Sequence, residues 1–137
     1  MLRAIAIAVP ISLLMLAGPA LAGDVMSPRG APWWRELAQC GGLALAVRDR
    51  ALDHRDPPER IAGLTRDMNA FLEAGTGQLR RDRELELSPA KKSVHLTAGR
   101  AWEAFKNSGE SLDALEGKLA ACDSQLEAYR RLQGNRQ

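Results

Sequence analysis

An all-α fold, an up-down-up-down four-helix bundle stapled by one disulfide between its first and last helices, is what the sequence predicts, and three observations predict it. Apolar side chains recur at steps of three and four in four separate stretches, and no stretch alternates with the period of two that a strand needs. Short segments rich in Pro, Asp, Ser, Asn and Gly lie between those stretches. The only two cysteines, Cys40 and Cys122, each fall on an apolar seam.

The first residues read as an address. Met1-Leu2-Arg3 is a short positive start, Ala4 to Leu16 an apolar run, and Ala20-Leu21-Ala22 a small-residue cleavage site ahead of Gly23. That layout predicts a secretory signal peptide over 1–22, cleaved to leave a chain with no transmembrane segment, periplasmic or secreted. Pro10, Gly18 and Pro19 interrupt the run, which argues against an uncleaved anchor. In an oxidising compartment, two cysteines and no more predict one bond, Cys40 to Cys122.

Residues 23–31, with Ser27-Pro28-Arg29-Gly30 and no apolar period, predict a flexible tether. The bundle is expected over 32–132. Helix 1 opens at about Pro32, whose missing N–H costs nothing in a first turn, and its seam is Trp33, Leu37, Cys40, Ala44, Val47 and Ala51. Gly41-Gly42 make it slim beside Cys40, which suits a close approach of helix 4. Asp56 offers a cap, with Pro57 at the first position of helix 2. That helix carries Ile61, Leu64, Met68, Phe71 or Leu72, Gly75 and Leu79, and its period survives Gly75-Thr76-Gly77, so one helix to about Arg83 is expected, weakened near Gly75. Ser88-Pro89 reads as the cap and first turn of helix 3, with Val94, Ala98, Ala101 or Trp102 and Phe105 inward. Asn107 or Ser108 is the expected cap of helix 4, whose seam is Leu112, Leu115, Leu119, Cys122, Leu126 and Tyr129. Residues 133–137 are polar and read as a disordered tail.

Function is less legible. Nineteen Lys and Arg against 17 Asp and Glu give a formal charge of +2, which demands no nucleic-acid partner. There is no Cys-x-x-Cys-His for covalent haem, no inward Glu-x-x-His for a carboxylate-bound metal pair, and no serine or cysteine nucleophile set beside a histidine base. Asp53, His54 and Asp56 read as a solvated helix end. The expectation is therefore a non-enzymatic binding or adaptor module without a cofactor, its partner an unidentified component of the envelope. A small-ligand or cofactor carrier using the bundle core is the alternative. One surface feature points further. Laid antiparallel, the four helices pool Arg80, Arg81, Arg83, Lys91, Lys92, Arg130 and Arg131 at one end, with Arg29, Arg35 and Arg136, against six acids. The opposite end holds five bases and seven acids. The Trp33-Trp34 pair sits at the basic end, and since only one of two adjacent tryptophans points straight into a seam, the other is expected at least partly exposed. This end is the candidate contact with an anionic surface or acidic protein.

Overall fold

The computed structural model describes residues 23–136; the predicted signal peptide, 1–22, lies outside them. Four helices follow in order: α1 Trp33–Asp53, α2 Pro58–Arg83, α3 Leu87–Lys106 and α4 Leu112–Arg136. The short turns make successive helices antiparallel. Trp33 at the start of α1 meets Tyr129 near the end of α4, and Arg50 near the end of α1 donates to the carbonyl of Glu110 just before α4. The Cys40–Cys122 bond joins those two helices near their middles, with Cα atoms 5.7 Å apart.

The helices are not equivalent. α1 packs on all three others, most extensively on α2 and then α3, whereas α4 rests mainly on α1. Thirteen of the 21 residues of α1 are buried, so it serves as the axis of the molecule. On one side Trp33, Leu37, Leu43 and Val47 form a core with Leu64 and Phe71 of α2 and with Leu115, Leu119, Leu126 and Tyr129 of α4. On the other, Trp34 and Ala38 meet Leu79 of α2 and Ala90 and Val94 of α3. The two glycines of α1 explain this arrangement, but not through helix 4 as the sequence suggests. A Cβ on Gly41 would press on Leu72 of α2, and one on Gly42 would drive into the Ala98 carbonyl and the Trp102 nitrogen of α3. The slim face therefore admits α2 and α3, while α4 is drawn in by the disulfide and its own seam.

Helix ends also differ from expectation in ways the backbone explains. Pro57 is extended (φ −58°, ψ 148°) and caps α2 rather than opening it, because a residue before proline avoids the helical region. Asp56 instead closes α1: its N–H reaches the Ala51 carbonyl and the Arg55 N–H the Leu52 carbonyl, with Arg55 left-handed at φ 56°. α3 starts at Leu87, ahead of the expected cap at Ser88, since Pro89 falls within the first turn, where no N–H is called for. Ser111 caps α4, accepting from the Ala114 N–H at 3.1 Å, in place of Asn107 or Ser108. α2 runs unbroken through Gly75, which is buried against the Trp34 carbonyl and Leu37, so packing covers the expected weak point. α4 continues to Arg136, where a disordered tail was expected from residue 133. A single glycine, Gly134, is a cost of about 1 kcal/mol and not a stop.

Candidate functional site

The basic end is built around a feature that periodicity does not reveal. Residues 23–32 form a strap rather than a free tether. Ser27 N–H donates to the Ala31 carbonyl and Trp33 N–H to the Val25 carbonyl, closing a small loop. Its anchor is Asp24, whose side chain is 1 % exposed and accepts from Arg83 Nε (3.1 Å) and Nη2 (2.9 Å). Val25 N–H adds a bond to Asp82 Oδ2 at 3.1 Å. The Arg83 guanidinium holds the Asp24 carboxyl below its ordinary range, against the opposing effect of burial. Asp82 moves the other way, pushed up chiefly by burial and also by the charge of Asp24, while its bond from Gln78 opposes this.

Both tryptophans are buried, Trp34 at 5 % exposure, which corrects the expectation that one would be open. Adjacent positions on a helix point about 100° apart, and α1 is covered in both directions. Trp33 turns toward Tyr129 of α4, with ring centroids 5.3 Å apart, and Trp34 toward α2 and α3. Over Trp34 lie the guanidiniums of Arg35 and Arg83, each 5.5 Å from the ring centroid. The Trp34 indole N–H is buried without a hydrogen bond of good geometry, yet it approaches Asp24 closely enough to help keep that carboxyl charged.

A second set of contacts ties α4 to α2. Tyr129 OH donates to Gln78 Oε1 (2.8 Å), Arg81 Nη2 donates to the Tyr129 oxygen (2.6 Å), and Gln78 Nε2 donates to Asp82 Oδ1 (2.6 Å). Beside the disulfide, Gln125 sits between Glu36 and Arg29, and the amide orientation that matches both has its nitrogen donating to Glu36 Oε2 (2.8 Å) and its oxygen accepting from Arg29 Nε (2.7 Å). Nothing in the sequence singles out Asp24, Asp82, Gln78 and Gln125, because their long-range partners stand 51 to 96 positions away and carry no local signal.

The predicted cations thus divide. Arg83 and Arg81 are committed to Asp24 and to the Gln78–Tyr129 pair, and Arg131 lies 3.8 Å from Glu127 on its own helix. Arg80, Lys91, Lys92 and Arg130, with Arg35, are exposed and have no ion pair among the described residues. Arg80 and Lys91 face one another across an open groove of about 370 Å³ between α2 and α3, with Leu72, Leu87 and His95. The centre of the molecule is filled by Phe71, Leu37, Leu43, Leu79 and Leu115. Among the described residues no three His, Cys, Asp or Glu are grouped as a metal would need, and no helix is long and apolar enough to cross a membrane.

Fold and surface together define a disulfide-stapled four-helix protein with one basic pole. Comparison with protein-family models, curated proteins and solved structures found no match.

Proposed function

We propose that the protein is a non-enzymatic binding module of the cell envelope, exported to an oxidising compartment, whose basic pole rests on an anionic surface of lipid head groups. The observation that carries this reading is the group Arg35, Arg80, Lys91, Lys92 and Arg130: five exposed cations drawn from all four helices onto one end of a stapled scaffold, none of them within ion-pair distance of a carboxylate among the described residues. Long cationic side chains suit such a surface because they reach it with the charge while their stems stay against the protein. Each contributes modestly and is screened by salt, so binding is weak and cooperative over the patch. A carrier would have to use the open grooves, since side chains fill the centre.

The test is co-sedimentation with vesicles of neutral lipid, with and without added anionic lipid, at low and high salt. The informative variant is Arg80→Glu/Lys91→Glu/Lys92→Glu, which leaves the buried contacts intact. Arg81 and Trp34 are poor probes, since changing either breaks internal packing. Binding to anionic vesicles that is lost at high salt and in the triple variant supports the proposal. Failure of the native protein to bind at low salt, or equal binding by the variant, ends it.

A further inference from the structure

α4 carries two apolar faces. One is the seam on α1. On the opposite side Ala114, Gly117, Ala121, Ser124, Ala128 and Leu132 follow at steps of three and four, none of them charged, in a helix with eight charged residues at its other positions. The two faces nearly cancel, so α4 has almost no net amphipathicity, whereas α1, α2 and α3 are clearly one-sided. The outer face is uncovered: Leu132 is 44 % exposed, and a Cβ on Gly117 would meet nothing within 4 Å. Alongside runs an open, mainly apolar groove of about 430 Å³, bounded by Pro28, Trp33, Ala121 and Ala128. Past Gln125 a second groove of about 290 Å³ continues to Leu43 and Phe105, because α3 and α4 barely touch.

We infer that this face of α4 is where a second copy of the chain docks, with the two α4 helices antiparallel. Charge selects both the occupant and the orientation. α4 begins with Asp113 and ends with Arg130 and Arg131, and the whole molecule repeats that polarity, seven acids with five bases at one end and ten bases with six acids at the other. A two-fold axis near Ala121 sets Asp113 of each copy near Arg131 of the other, twice by symmetry, while Arg130, on the far side of α4 beside α2, stays outside the contact. A parallel pairing would stack like poles. The slim, uncharged stripe lets the helix axes approach to about 8 Å. α4 is about 37 Å long, so two such helices cover less than the roughly 800 Å² per partner of a standard stable complex. The dimer is accordingly weak, concentration-dependent and loosened by salt.

Sedimentation velocity of the oxidised protein, from micromolar to millimolar and at two salt concentrations, tests this. The expected result is a reversible monomer–dimer equilibrium that shifts to monomer at high salt. Ala121→Glu, at an exposed position, should weaken it at least about tenfold with an unchanged thermal midpoint. Asp113→Arg should weaken it, and Asp113→Arg/Arg131→Asp should restore it. A protein that stays monomeric at millimolar concentration overturns the inference, as does a dimer indifferent to Ala121→Glu or a charge swap that fails to restore pairing. Vesicle binding is read separately: Ala121→Glu should leave it unchanged, so either proposal can fall without the other.

Discussion

Asp24 is the residue on which the strap depends. Its carboxylate is out of water but bonded twice by Arg83, a guanidinium that is itself 43 % exposed and therefore partly screened. Because the pair lowers the folded-state pKa of Asp24 below its ordinary 3.8, the pair contributes stability that is complete above that value and is lost as pH falls through the lower, folded one. Asp82 has the opposite sign: its raised pKa favours the folded state at acid pH and that advantage fades as pH rises through the folded value. Asp24→Asn should cost about 1–2 kcal/mol at neutral pH, and the cost should shrink below pH 3.8 as native Asp24 also becomes neutral. Thermal midpoints of both proteins across that range check it; a cost that persists undiminished at the acid end would show that shape, not charge, is what Asp24 supplies. The position of Trp34 beside Trp33 says that one of the two tryptophans must face away from a seam, and only the cover on both sides of α1 removes that constraint.

At the scale of elements, glycine spacing proves to be about helix contacts rather than helix breaks. Gly42 touches α3 backbone, which cannot yield, whereas Gly99 on α3 has open space where its Cβ would be. Gly99→Ala should stabilise by about 0.5–1 kcal/mol through helix propensity alone. Gly42→Ala gains the same propensity but should be net destabilising, by about 1–3 kcal/mol, because a methyl there forces α1 and α3 apart. Denaturant midpoints of the two variants should move in opposite directions, and movement in the same direction would contradict the packing described here. The element boundaries teach a related lesson: Ser111, not Asn107 or Ser108, caps α4, since several residues of a turn are chemically able to cap and the path of the chain selects among them.

The molecule as a whole is a three-helix unit around α1 with a fourth helix stapled to it. The bond spans 82 residues, a loop whose closure is worth about 4–5 kcal/mol in the chain-entropy model. Free-thiol titration of the unreduced, denatured protein should find none. On reduction the loss should fall unevenly, since α4 has few contacts beyond α1: amide exchange should speed up over Leu115 to Leu126 well before it does over Leu37 to Val47. Equal loss of protection across all four helices would mean that the staple supports the whole core and not chiefly α4.

Helix number, helix order and the disulfide were determined by the sequence itself, because each rests on short-range chemistry: steps of three and four, turn residues, and a count of two cysteines. Of the narrow seam of α4, Leu115, Leu119, Leu126 and Tyr129 are buried, and Leu112 and Cys122 are partly buried against the same core. The pooling of cations at one end also follows from that order. Which of those cations stay exposed was decided only by the tertiary structure. Arg83 and Arg81 look like Arg80 in sequence, yet Asp24, 59 positions away, and Tyr129, 48 positions away, claim them. The strap, the burial of Trp34 and the central place of α1 were decided in the same way. Each depends on which chain segments meet across long loops, and a local pattern records the capacity of a side chain to make a contact but not the partner it finds.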